Sequence, residues 1–247
     1  MGYGLQLYSV RDFTSTDIEH TFSRLKEFGF EFFEFAGYFG HSAGEIKDLL
    51  IKYDYGAYSS HISYHDIVNS YDDTVAFHKE LGIDNFVIPI FCDLDISLDT
   101  FIDFINEYQP RLEKDGIKLH FHNHDMDLIP DPKTGRITFD ELEAKTNINF
   151  QLDTYWTFIA GRNACEIMDR LSNRISFIHI KDGDKEGRPK YLGRGAAPVI
   201  EPLECAKKHG FKIIIESEGM TPDGITEAKR CIKFLKKHDA EIAEKAI

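Results

Sequence analysis

Basic residues are in short supply. The chain has 29 Lys and Arg against 42 Asp and Glu, and its net charge at pH 7 is −13. Such a chain repels a phosphate backbone and an anionic bilayer, so neither nucleic acid nor membrane is an expected partner. Cysteine is scarce and scattered. Cys92, Cys165, Cys205 and Cys231 form no Cys-x-x-Cys, so neither a zinc knuckle nor a disulfide framework is indicated. Cys205 and Cys231 fall in helical patterns as small apolar residues. No apolar run reaches the roughly 20 residues of a membrane span. No basic leader precedes an apolar run at the amino terminus, and Met1-Gly2 does not open a myristoylation signal. A cytoplasmic location is the expectation. Two phosphate-binding signatures are also missing. There is no Gly-x-Gly-x-x-Gly turn after the first strand, and no Gly-rich phosphate loop stands out.

What is present is a strand–helix alternation along all 247 residues, 42% of them hydrophobic. Strands are expected at 4–8, 31–35, 56–61, 85–89, within 118–127, and at 148–153, 174–181 and 212–216. Helices are expected from a Thr16-Asp17 cap to Phe28, and at 43–53, 72–81, 98–114, 139–145, 164–171, 199–209 and 223–238, with 239–247 as a charged helical extension. A turn-rich excursion at 130–135 reads as a short hairpin, and the polar loop 182–198 is too long for a mere connector. Eight such units without a composition shift imply an α/β fold, a (β/α)8 TIM barrel in a single domain covering 1–247.

The stretch Lys118-Leu-His-Phe-His-Asn-His-Asp-Met-Asp127 carries the chemistry. With a period of two, Ile117, Leu119 and Phe121 fall on one face and His120, His122 and His124 on the other, with Asp125 and Asp127 following. Imidazoles beside carboxylates are the ligand types of a divalent metal. In a barrel of this kind the site lies at the carboxyl ends of the strands. Those ends supply Gln6 and Tyr8, Glu34, His61, His122 and His124, Asp127, Gln151, Asp153 and Trp156, His179 and Lys181, then Glu216 and Glu218. Taken singly, each fits a solvated strand end or core filler. Carboxylates converging without a counter-cation would repel and raise one another's pKa, so the joint pattern calls for a cation.

Gly4-Leu-Gln-Leu-Tyr-Ser-Val-Arg-Asp12, Glu34-Phe-Ala-Gly-Tyr38, Ser60-His-Ile-Ser63, His122-Asn-His-Asp125, Leu152-Asp-Thr-Tyr-Trp156, His179-Ile-Lys-Asp182 and Glu216 occur in this order. Together they resemble sugar phosphate isomerase/epimerase-like proteins of the xylose isomerase-like TIM barrel superfamily. The resemblance implies one divalent metal ion (Mn, Mg, Co or Zn) held by Asp153, His179, Glu216 and a strand-five carboxylate. Asp127 takes that last place where members usually carry Glu. Gln151 and Leu192-Gly-Arg-Gly-Ala196 are further departures, since relatives often have Glu and Gly-Glu-Gly there.

The implied activity is sugar isomerisation or epimerisation by proton transfer through a metal-stabilised enediolate. Glu216 and Asp127 would move the proton, while His61, His122 and Lys181 position hydroxyls and steady the oxyanion. Gln6, Tyr8, Glu34, His124 and Trp156 would bind a small-molecule sugar or sugar derivative, with Phe91 adding to its apolar wall. The same site would serve a keto-sugar or inosose-type dehydratase, which water loss from the product would reveal. A degenerate barrel that binds sugar without turnover would lack stoichiometric metal. A zinc phosphodiesterase acting on damaged DNA is disfavoured by the −13 charge. Arg188, Lys190 and Arg194 in the 182–198 loop read as solvated residues rather than an anion site. A homo-oligomer is compatible with the sequence, which specifies no oligomeric state.

Overall fold

A computed structural model describes residues 2–92 and 94–245. Eight parallel strands close a barrel: β1 (Tyr3–Gln6), β2 (Phe32–Ala36), β3 (Gly56–His61), β4 (Asn85–Ile88), β5 (Lys118–His122), β6 (Asn149–Asp153), β7 (Ile175–Ile180) and β8 (Lys212–Ile215). Each strand pairs with its sequence neighbours, and β1 closes on β8.

The period of two divides the strands between two cores. Ile213 and Ile215 of β8, with Ile178 and Ile180 of β7, join the large cluster between barrel and helices. Ile214 and Phe177 point the other way and meet Phe32 and Val87 as a plug inside the barrel. His120 lies in that inner space, its ring 4.7 Å from Phe177 and its Nε2 3.1 Å from Asn85 Oδ1. Polar side chains therefore stack above an apolar floor, and strand register decides which of them meet.

The helices start where short polar side chains can accept their first amide protons. Asp17 accepts from the His20 N–H, and Ser97 from that of Thr100. Ser42 and Glu45 form a reciprocal capping box. Gly29 ends helix Ile18–Phe28 at φ +84°, a conformation that a side chain would strain.

Two local expectations are corrected, at the first strand and at 130–135, and further elements appear beside the expected ones. The first strand stops at Gln6, because the Gln6 Oε1 accepts the Tyr8 N–H and turns Leu7–Val10 into a 3-10 helix. Two helices escaped the sequence reading. Tyr64–Asn69 is capped by Ser63, and Thr154–Ile159 by Asp153. The 130–135 excursion is a turn without paired strands, tied by the Asp131 carboxylate to the Lys133 and Thr134 amides. A two-residue pairing occurs instead inside the 182–198 loop, Asp182–Gly183 with Pro189–Lys190. The last helix and the expected extension are one helix, Gly224–Lys245, with residues 246 and 247 outside the described residues. None of the described helices is long and apolar enough to cross a membrane.

Candidate metal centre

Strand register brings the polar ends together. Gln6 pairs with Glu34, His122 with Gln151, and Asp153 with His179. Glu34 is fully buried and saturated. It accepts from Gln6 Nε2 at 2.8 Å, Ser59 Oγ at 2.6 Å, Gln151 Nε2 at 2.6 Å and His179 Nε2 at 2.5 Å. His61 Nε2 lies 3.2 Å away. Burial would raise the Glu34 pKa, but His61 and His179 outweigh it and hold the carboxyl well below its ordinary range.

Glu34 and Gln151 also orient the imidazoles above them. His179 donates from Nε2 to Glu34, so its Nδ1 faces Glu216 Oε2 at 3.4 Å. Gln151 Oε1 accepts from His122 Nδ1 and His61 Nε2, each at 3.0 Å. That assignment leaves His122 Nε2 as the free lone pair. A hydrogen bond on one ring nitrogen fixing the other toward a cation is the usual support of a metal-binding histidine.

Donor atoms of His122, Asp153, His179 and Glu216 all lie within 4.8 Å of one another, and all four residues are buried. Ligands around a divalent ion at ~2.1 Å sit ~3.4 Å apart, so little contraction would be needed. Two atoms of the quartet support the fit directly. Asp153 Oδ2 and His179 Nδ1 are buried without a hydrogen-bond partner. A His/carboxylate set of this kind suits Mn, Mg, Co or Zn.

Lys181 sits beside the quartet. Its Nζ is 2.8 Å from Glu216 Oε2, contacts Glu218, and lies 3.9 Å from Asp153 Oδ2. Burial disfavours its charge, but Glu216 and Asp153 reverse that and raise its pKa. Burial likewise pushes Asp153 up to about 7, partly offset by Lys181. Glu216 goes the other way, because Lys181 and His179 overcome burial and hold it well below the usual range. Burial would also lower His179, yet Glu34 and Glu216 raise it to about 10. Burial, reinforced by His179, depresses His122. Burial with the Lys181 charge brings His124 to about 4.

Of the residues expected at the site, Gln6, Glu34, His61, His122, Asp153, His179, Lys181 and Glu216 converge. Tyr8 and His124 join His61, His122 and Glu216 in lining a cavity of about 770 Å³ above them. Trp156 takes a flanking place, its ring 5.0 Å from Lys181 Nζ and 5.6 Å from His124. Asp127 does not join. Its Oδ2 accepts the His124 N–H at 2.8 Å, and it lines a separate cavity with Phe91 and Thr138. Burial pushes its pKa up to about 7, partly offset by that amide. His122 occupies the quartet place that the resemblance assigned to Asp127.

The sequence marks Gln151 as a strand end and a departure from the family pattern and Glu218 as a strand end, and it singles out neither Ser59 nor Asn123. Asn123 Oδ1 accepts the Asp153 N–H at 3.0 Å and steadies that strand end. The signal for Gln151 was its inward phase with Asp153. For Ser59 no sequence signal existed, because its contact with Glu34 follows from the register shift between β2 and β3.

A closed parallel barrel with buried imidazoles and carboxylates gathered at its mouth defines the class. Residues 22–238 match the family described as xylose isomerase-like TIM barrel, and the chain belongs to that family. Among solved structures it is similar to a sugar phosphate isomerase/epimerase from Parabacteroides distasonis. The two share 22% identity, with TM-score 0.82 over 96% of this chain and 98% of that one. It is also similar to 3-keto-D-glucoside 4-epimerase from E. coli, at 16% identity and TM-score 0.70 over 96% and 99%. A probable 3-DHS dehydratase from Bacillus anthracis gives 12% identity and TM-score 0.72 over 96% and 99%. None of the curated proteins compared with the chain matches it.

Proposed function

We propose that this protein is a divalent-cation-dependent sugar isomerase or epimerase. The observation that carries the reading is the quartet His122, Asp153, His179 and Glu216 beneath a cavity of about 770 Å³, with two of its buried polar atoms lacking a hydrogen-bond partner. These four residues would hold the cation, which supplies Lewis-acid polarisation of a substrate carbonyl.

The chain's own residues do the rest. Glu216, kept ionised by Lys181, accepts the proton from the carbon beside the carbonyl; returning it to the former carbonyl carbon gives the isomer, and a solvent proton on the opposite face of the first carbon gives the epimer. Lys181 steadies the negative charge that develops on oxygen. His61 and His124, which line the cavity, donate to or accept from the sugar hydroxyls. Tyr8 offers a ring to a C–H face. Glu34 and Gln151 are positioning residues that act through His179, His61 and His122. Asp127 has no part in this scheme, since its carboxylate is held by the His124 amide.

The test is solvent-deuterium wash-in on a panel of keto-sugars, with metal analysis of protein purified without chelator. Asp153→Ala and Glu216→Gln should each abolish metal binding or exchange while the circular dichroism spectrum survives. Retained exchange in both variants refutes the proposal. Product mass separates the dehydratase outcome, because only that reaction loses water.

A further inference from the structure

The cavity above the quartet extends well past it, along the turn after β2 and over helices Tyr64–Asn69 and Tyr71–Leu81. Resting on the isomerase/epimerase reading, the geometry points to a narrower substrate class. The substrate is an uncharged glycoside, without phosphate, that carries a ketone on its sugar ring and whose apolar aglycone lies on a shelf made by Tyr38 and Phe77.

Charge is the first argument. Among the described residues no Lys or Arg lines the cavity, whereas Asp66, Asp73, Glu216 and Glu218 do. The nearby cations are committed. Lys181 is shared among carboxylates. Arg11 lies 3.9 Å over the Tyr8 ring and donates to the Tyr8 carbonyl at 2.7 Å. Helix starts beside a cavity ordinarily attract phosphate through free amides and the helix dipole. Here both bordering helices carry acids in that first turn: Asp66 in one, Asp72 and Asp73 in the other. Asp66 is fixed there by hydrogen bonds with Ser63. A phosphate at this end would meet carboxylates and, among the described residues, no Lys or Arg.

Shape and polarity are the second argument. The Tyr38 and Phe77 rings lie 4.5 Å apart. Tyr38 stacks on Phe35 at 5.1 Å and donates its hydroxyl to Ser60 Oγ at 3.0 Å, so the shelf is set before any ligand arrives. Ile62, Pro89 and Ile90 complete an apolar wall. About 770 Å³ lies in the upper part of the ~300–1,000 Å³ range of pockets that take drug-sized ligands, which is more room than one pyranose ring uses.

The experiment is calorimetry on the full chain with Mn²⁺ present, using methyl and phenyl β-D-glucopyranoside, fructose and fructose 6-phosphate. Phenyl glucoside should bind at least about tenfold tighter than methyl glucoside, the worth of burying an aromatic ring. Phe77→Ala should erase that advantage. Fructose 6-phosphate should bind more weakly than fructose, and the surface double variant Asp66→Asn/Asp73→Asn should narrow the gap. Equal affinities for the two glucosides, or tighter binding of the phosphorylated sugar, would overturn the inference. If Mn²⁺ binds but no probe does, the inference falls and proton exchange stands on its own test. If these preferences hold while wash-in fails, the substrate class stands and the proton-transfer reading falls.

Discussion

Asp182→Asn should unfasten the long loop after β7 without dismantling the barrel. Asp182 is buried, and its carboxylate accepts five backbone N–H groups. Oδ2 takes Gly193 at 2.9 Å, Arg194 at 3.1 Å and Gly195 at 2.8 Å. Oδ1 takes Gly183 at 2.8 Å and Ala197 at 3.2 Å. Asn keeps one oxygen and points an amide N–H at the remaining donors, so two or three of these bonds are lost. At a net ~1–1.5 kcal/mol per bond, the folded loop loses about 3 kcal/mol against its open form. With tenfold per 1.4 kcal/mol, amide exchange at residues 193–197 should speed up by roughly 100-fold. Hydrogen exchange read by mass spectrometry or NMR gives the result, with strand β8 as internal control. Gly195→Ala should act in the same direction, because its Cβ would come 2.3 Å from the Gly183 carbonyl oxygen. Unchanged protection of the loop in Asp182→Asn would show that the carboxylate does not hold it.

Gln151→Glu should weaken metal binding severalfold or more. The new carboxylate would face Glu34 where Gln151 Nε2 now donates at 2.6 Å, and the two would have to share a proton. A Mn²⁺ titration checks this, and unaltered affinity refutes it. Metal removal with a chelator should lower the Tm, and returning Mn²⁺ at about 100 times Kd should restore ~2.7 kcal/mol. An unmoved Tm counts against the quartet as a cation site. His78 gives a pH prediction. Burial lowers its pKa, only partly offset by the Thr74 carbonyl at 2.6 Å, and the ring packs on Phe86 and Tyr38. The unfolded chain therefore binds more protons. The stability His78 contributes is full above its unfolded value near 6.5 and is lost as pH falls toward the lower folded value, by at most ~1.4 kcal/mol per unit. Urea midpoints of wild type and His78→Phe should thus converge between about pH 7 and pH 5.5. A constant gap refutes the assignment.

Sequence by itself determined the architecture and the inward-facing set. A period of two on β5 and β6 assigns Leu119 and Phe150 to the outer core and His122 and Gln151 to the interior, whereas the aliphatic run of β8 carries no such signal and only the barrel separates Ile213 from Ile214. Turn glycines and short polar caps placed most helices for equally local reasons. What only the tertiary structure decided is which inward groups meet. Gln151 reaches Glu34 across 117 positions of chain, and His179 reaches it across 145. No local pattern encodes a contact set by strand register around a closed cylinder. Asp127 shows the same limit from the other side. Its place just past β5 looked like a ligand position, but a 3-10 turn aims its carboxylate back at the His124 amide, and the imidazole of His122 stands with the quartet instead. Spacing along a strand says which face a side chain takes. The turn that follows, and the neighbours across the barrel, say where its charged atoms end.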